Sequence, residues 1–397
     1  MKKYIKVIVI ALIVVSNSFI FGTKSEYAKN KELTTVTPTV VPINEKYTIL
    51  NELFTEKETQ MVRQKLDSLL QSINKRHDFH GSLLVAKNGQ ILYNNFIGYA
   101  DFKKKEPIND ASAFQLASVS KQFTAAAIML LYERNQLQLT DTVNKYFPDF
   151  PYENVTIKNL LNHTSGLPRY FWVAEHKWEH QKAPTNSEMM ALLESTEVQR
   201  YFKPGRNFDY SNTGYFVLAS IVEKISGTSF SAFVKKNIFE PLEMNDSFVY
   251  SFENDSIRTN QLGGYRLYRG WRHLKIPGTV NDAIVGDKNV YATSKDLFKW
   301  TLGLNNGKLL SKESLELMYS KGETVYGRKV PYGFGFRIDT KKQNTIYHHG
   351  KWNGFSTGLT LYPDDELVII VLEHTSYNAM TSLNNKVKNI IAESLGA

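Results

Sequence analysis

Three short runs hold the residues best suited to chemistry in this 397-residue chain: Ser118-Val119-Ser120-Lys121, Tyr210-Ser211-Asn212 and His348-His349-Gly350. A serine and a lysine three positions apart share one face of a helix. In apolar surroundings the amine is driven toward its neutral form, so Lys121 can take the proton of Ser118 and leave Oγ as a nucleophile. The helix N-terminus adds N–H groups and a positive dipole for a developing oxyanion. A phenol beside that lysine, Tyr210, is expected to be drawn toward phenolate and to work as a base. The chemistry these types define is acyl transfer through a serine ester.

Context separates these runs from look-alikes. S-x-x-K also occurs at Ser72–Lys75, on the solvated side of an amphipathic pattern. Only Ser118 opens a run, KQFTAAAIMLLYE, that is apolar on nearly every side and must be buried. Y-x-N recurs at Tyr93, inside a strand pattern, and at Tyr152, in a proline-flanked loop. Tyr210 instead follows the turn Pro204-Gly205 and precedes the helical run GYFVLASIVEKI. His348-His349-Gly350 is the chain's one H-x-G, and a glycine in a strand lets another backbone come close.

Two further patterns compete. G-F-S-T-G at 354–358 fits G-x-S-x-G, with Asp365 and His374 following in hydrolase order. A nucleophile elbow needs a helix after the serine, whereas Ser356 runs into LTLYP, a turn and ELVIIVLEH, which is a hairpin. His176-Lys177-Trp178-Glu179-His180 fits a zinc-peptidase pattern but has no evident third ligand and reads as a solvated segment. No metal or other cofactor is expected. His163, in NHTSG, reads as a hydrogen-bonded turn residue.

The elements that must position these groups follow from pattern. Lys2, Lys3 and Lys6, the run VIVIALIVV and Ser16-Asn17-Ser18 give residues 1–28 the layout of a secretory signal peptide or N-terminal membrane anchor. The rest is then expected outside the cytoplasm, secreted or attached to the outer face of the cell membrane. Residues 29–55 read as a polar tether. From Glu56 a 3/4 spacing of Met61, Val62, Leu66, Leu69, Leu70 and Ile73 predicts a helix. Asn88-Gly89 between two β-type runs predicts a hairpin. The stretch 115–325 reads mostly helical with long loops. YGFGFRID, FSTGLTLY and ELVIIVLEH return to strands, and a helix is expected over Met380–Ser394. This predicts a mixed α/β fold: an antiparallel sheet built from both chain ends, flanked by helices, with an inserted all-α lobe, over residues 56–397.

Composition bounds the function. With 42% hydrophobic residues the chain can bury a large core. It has no cysteine, which excludes disulfides, a thiol nucleophile and thiolate metal sites. Net charge is +9, and loss of residues 1–28 leaves +6. That excess suits anionic cell-wall polymers and is too diffuse for nucleic acid.

Taken in order, SVSK, YSN and HHG resemble the three motifs of the serine β-lactamase and penicillin-binding protein superfamily, in its class C-like branch of D-alanyl-D-alanine carboxypeptidases, D-aminopeptidases and esterases. LLNHTSGLP at 160–168, PGRNFDYSNTGY at 204–215, IFEPLEMNDS at 238–247 and GDKNVYATSKDLFKW at 286–300 are similar as well. The resemblance implies Ser118 as acylated nucleophile, Lys121 in proton transfer and Tyr210 as general base and later acid. It places Asn212 on the substrate's acyl amide, His348 where K-T-G members have lysine, and an oxyanion hole at the backbone N–H groups of Ser118 and Lys351, beside Gly350. The implied substrates are D-amino-acid-containing peptides, β-lactams or esters. His348 carries little charge at neutral pH, which disfavours a cephalosporin-destroying enzyme, and Lys351 is near enough in sequence to compensate in part. The leading expectation is a D-Ala-D-Ala carboxypeptidase or D-amino-acid peptidase. A class C-like esterase or weak β-lactamase, and a non-catalytic wall-binding or sensor protein, are the alternatives.

Overall fold

Strands from the two ends of the chain interleave in one antiparallel sheet. The computed structural model describes residues 54–180, 182–251, 258–339 and 344–395. The expected leader, 1–28, and the tether 29–55 except its last two residues lie outside the described residues. Thr55 caps helix α1 (Glu56–His77): its hydroxyl accepts the Glu58 N–H while the Glu58 carboxylate accepts the Thr55 N–H. This reciprocal box satisfies donors that a helix start leaves open. α1 buries Val62, Leu66, Leu70 and Ile73, the stripe set by the 3/4 spacing, and leaves Lys75 exposed.

Strands β1 (Gly81–Lys87) and β2 (Gln90–Ile97) meet at Asn88-Gly89, both at positive φ, as a two-residue hairpin requires. The other strands are β3 (Arg337–Asp339), β4 (Thr345–Trp352), β5 (Phe355–Tyr362) and β6 (Leu367–Glu373), and the order across the sheet is β3-β4-β5-β6-β1-β2. β6 joins the two ends, pairing with β5 on one side and β1 on the other. Alternation along the strands sends Leu83, Val85, Ile369 and Val371 to one face, against α1 and the C-terminal helix Met380–Leu395. Leu84, Ile370, Leu372 and Leu359 go to the other face and join the larger core around helix α2 (Lys121–Glu133).

Every residue of α2 from Lys121 to Leu131 is buried. Phe123 packs on Trp300 at 4.3 Å between centroids, and the Trp300 indole donates to the Gln122 side chain at 2.9 Å. Each fully buried aromatic or aliphatic side chain of this kind stabilises the fold by roughly 1.5–3 kcal/mol. Helix α3 (Asn212–Ser226) crosses beside α2, buried from Thr213 to Val222.

Two parts differ from expectation. YGFGFRID is a strand only from Arg337. Gly335 sits at φ 80°, donates its N–H to the Tyr215 hydroxyl at 2.8 Å, and lies so close under α2 that a Cβ there would stand 2.8 Å from Gln122 Cα. The segment therefore bends around α2 instead of extending the ladder. The inserted region is also not purely helical. Phe114–Gln115 and Phe248–Val249 each pair with Val290–Ala292, and Tyr265–Tyr268 pairs with Arg272–Lys275 in a separate hairpin.

Candidate active site

Ala117 adopts φ 48°, an uncommon conformation for a residue with a Cβ, immediately before Ser118. Ala117–Ser120 form a tight turn that runs into α2, so Ser118 and Lys121 emerge on one side. The Ser120 hydroxyl points elsewhere and accepts the Val290 N–H at 3.0 Å, which ties the turn to the small sheet.

Lys121 is fully buried. Its Nζ stands 3.2 Å from Ser118 Oγ and 2.8 Å from the Asp287 carbonyl oxygen. Desolvation pushes the ammonium down to about 7; the Arg337 guanidinium adds to this and Asp287 opposes it. The amine is thus partly neutral near pH 7, and the lone pair this frees can accept the serine proton.

Tyr210 precedes α3, whose N-cap Ser211 accepts the Gly214 N–H. His163 brackets the tyrosine: its carbonyl accepts the Asp209 N–H at 3.0 Å and its Nδ1 accepts the Ser211 N–H at 3.1 Å. The two rings lie 4.3 Å apart. His163 is thus a positioning residue in a turn, at φ 59°. Lys121 Nζ lies 5.1 Å from the Tyr210 ring centroid. The expected drift of Tyr210 toward phenolate is reversed. Burial raises the hydroxyl well above its ordinary range, outweighing the Ser118 hydrogen bond and the Arg337 charge. Tyr210 is therefore a proton donor in this state, and Lys121 is the group able to accept.

β4 supplies the facing wall. A Cβ on Gly350 would lie 2.2 Å from the Leu116 carbonyl oxygen and 2.9 Å from Ser118 N, so only glycine lets this strand reach the nucleophile turn. The Thr357 hydroxyl, on the neighbouring strand, donates to the same Leu116 carbonyl at 2.6 Å. His348 is buried; its Nδ1 donates to the His349 carbonyl at 2.8 Å. Its Nε2 therefore carries the lone pair and accepts from Tyr332 Oη at 3.0 Å, with Tyr210 Oη at 3.5 Å. Burial, then the Lys121 and Arg337 charges, hold this ring well below the usual histidine range, so it is neutral. Lys351 follows on the exposed side of β4. Asn212, the first residue of α3, has a buried Oδ1 without a hydrogen-bond partner among the described residues.

Ser356 lies elsewhere. Thr357 faces the Leu116 turn, so its neighbour Ser356 faces the other side of the sheet with Gly358 and Thr360, which contact Met380 and Asn384 of the C-terminal helix. His374 uses both ring nitrogens on the carbonyls of Gly263 and Tyr99. His176 stacks on Trp172 and bonds its carbonyl.

Sequence reading missed Arg337. It sits on edge strand β3, opposite Tyr347, with its guanidinium 5.0 Å from the Tyr210 ring centroid. The guanidinium has no hydrogen-bond or ion-pair partner among the described residues. Its charge bears on Lys121, Tyr210, His348 and His349. The cation absent from the His348 position is thus present one strand away.

Comparison with known proteins agrees with this architecture. The family model described as Beta-lactamase matches residues 66–392. Penicillin-binding protein 4* of Bacillus subtilis (strain 168) is 36% identical over 326 residues, covering 79% of this chain and 72% of its own length. The crystal structure of a penicillin-binding protein from Bacillus halodurans superposes with a TM-score of 0.70 at 26% identity, covering 80% of this chain and 98% of that one. An octameric penicillin-binding protein homologue from Pyrococcus abyssi gives a TM-score of 0.71 at 28% identity, covering 84% of this chain and 77% of that one. The chain belongs to the beta-lactamase family and has a penicillin-binding-protein-like serine hydrolase fold.

Proposed function

We propose that this protein is a serine hydrolase that cleaves peptides ending in a free carboxylate, of the D-Ala-D-Ala carboxypeptidase or D-amino-acid peptidase type. One observation carries the substrate class: the Arg337 guanidinium over Tyr210, beside a neutral His348, has no hydrogen-bond or ion-pair partner among the described residues. A buried or half-buried guanidinium without a carboxylate is completed by a substrate that brings one. An ester or an amide would leave it unpaired.

In the first step Ser118 Oγ bonds to the acyl carbon while neutral Lys121 takes the hydroxyl proton. The oxyanion lies toward the backbone N–H groups of Ser118 and Lys351, and the Asn212 side chain receives the acyl amide. The C–N bond then breaks, with Tyr210 Oη giving its proton to the departing amine and recovering one from the Lys121 ammonium. Water repeats the sequence on the ester and releases the acid. The N-terminal layout and the excess of positive charge support a site of action outside the cytoplasm, near cell-wall material.

A substrate panel tests the reading. We expect a D-Ala-D-Ala peptide with a free carboxylate to be turned over faster than the same peptide as its C-terminal amide, a short-chain ester or a cephalosporin. Faster turnover of the ester or the amide would overturn it in favour of the esterase alternative.

A further inference from the structure

The hairpin Tyr265–Lys275, sequence YRLYRGWRHLK, stands outside the catalytic geometry. Its base is fixed. The Tyr265 N–H donates to the His374 carbonyl at 2.8 Å and the Ile276 N–H to the Gly264 carbonyl at 2.9 Å. The His273 ring stacks on Phe102 with centroids 3.6 Å apart, and its Nε2 lies 2.7 Å from Asp78 Oδ2. Asp78 also meets His80 Nε2 at 3.1 Å. His80 Nδ1 accepts the Tyr99 N–H, so Nε2 must carry the hydrogen given to Asp78. That leaves His80 no lone pair for a metal. These three residues form a hydrogen-bonded anchor rather than an ion site.

Beyond the anchor the two strands pair with each other and residues 266–272 are exposed. An isolated two-stranded ribbon is marginally stable in water and gains from a surface to lie on. The turn Arg269-Gly270-Trp271, with both Arg269 and Gly270 at positive φ, projects Trp271 into solvent at 72% exposure. Leu267 and Tyr268 beside it are also exposed. Arg266 and Arg269 stand over the Tyr268 ring at 5.8 and 5.2 Å from its centroid. Neither these two nor Arg272 has an ion-pair partner among the described residues, and the nearby carboxylate of Asp78 is already engaged.

We propose that this hairpin docks on an anionic phospholipid surface. Unpaired arginines complement anionic headgroups, and an exposed indole with a leucine and a tyrosine suits the boundary between headgroups and acyl chains. A phosphate polymer in water would satisfy the arginines and leave Leu267 and Trp271 exposed. Among the described residues no single helix is long and apolar enough to cross a membrane. Such a contact turns the hairpin face of the domain toward the bilayer.

The chain has no cysteine, so Leu267→Cys in the full-length protein accepts one environment-sensitive fluorophore at the tip. Lys312→Cys, exposed at the start of another helix, serves as the control site. The expected result is a blue shift at position 267, quenched by a lipid-borne quencher, in phosphatidylcholine–phosphatidylglycerol vesicles. It should be absent with pure phosphatidylcholine and at position 312. In a protein also carrying Arg266→Gln, Arg269→Gln and Arg272→Gln, the lipid concentration that gives half the shift should rise about 100-fold. Three outcomes overturn the proposal: no shift at 267 while the protein co-sediments with vesicles, the same shift with soluble polyphosphate, or a shift indifferent to the arginines. Because only the tip is read, attachment through residues 1–28 does not produce the signal, and loss of catalysis does not remove it.

Discussion

Lys121 Nζ lies 3.2 Å from Ser118 Oγ and 2.8 Å from the carbonyl oxygen of Asp287, inside a core that excludes water from the lysine. One contact faces the proposed nucleophile. The other comes from a loop far along the chain and holds the amine in place. A flexible four-carbon side chain with a depressed affinity for protons thereby becomes an oriented base.

If Ser118 is the nucleophile, a labelled penicillin or activated ester should label the peptide containing it. Ser118→Ala should lose the label and reduce turnover at least about a thousandfold. Ser356→Ala should keep both, since Ser356 faces the C-terminal helix. Peptide mapping by mass spectrometry decides between the two serines, and label persisting in Ser118→Ala would remove the assignment.

The acylation rate should rise with pH through about 7, as Lys121 loses its proton. The same shift predicts a stability effect. The folded lysine titrates near 7 and the unfolded one near its ordinary 10.5, so between these values the unfolded chain binds more protons. Stability gained from this group therefore rises with pH across that window. Lys121→Met has no such charge to bury. Its Tm relative to the parent should be most favourable below pH 7 and decline toward pH 10, while acylation is lost at every pH. A pH-independent Tm difference would mean that the folded lysine binds its proton as the unfolded one does, so that burial does not depress it.

Arg337→Gln should lower kcat/KM for a peptide with a free C-terminal carboxylate by about 10- to 100-fold, the range of a charge-assisted hydrogen bond. Its effect on the amide analogue should be small at pH 9, where Lys121 is neutral with or without the arginine. Because the Arg337 charge helps depress Lys121, its removal should also move the midpoint of the pH–rate profile upward. Equal losses on acid and amide would reduce Arg337 to a structural role.

Gly350→Ala places a methyl group against the Leu116 carbonyl and Ser118 N. β4 must then retreat from the nucleophile turn, at a cost of about 1–3 kcal/mol in stability. Acylation should fall by orders of magnitude, because the two halves of the proposed oxyanion site move apart. Unchanged acylation in a folded Gly350→Ala protein would show that the strand does not contribute to that site.

Much of the frame was legible in sequence because its signals are local. Asn88-Gly89 dictates a hairpin, the 3/4 spacing from Met61 to Ile73 dictates α1, and a run apolar on all sides dictates that α2 is buried. The hairpin Tyr265–Lys275 escaped because it alternates neither cleanly nor in the company of other strands, and its Arg269-Gly270 turn is not one of the strongest signals. Arg337 escaped for a different reason. Nothing in FGFRID marks one arginine as facing Tyr210, since that depends on the register of β3 against β4.

The sequence by itself determined which groups exist: a serine and a lysine on one helical face, a tyrosine at a helix start, and a glycine in a strand. These follow from spacing and from local backbone rules. Tertiary structure alone decided their protonation. The depth at which Lys121 and Tyr210 are buried, the Arg337 charge, and the Tyr332 and His349 partners that hold His348 neutral arise from segments distant in the chain. Desolvation and Coulomb interactions depend on that arrangement in space, and it made Lys121 the acceptor and Tyr210 the donor.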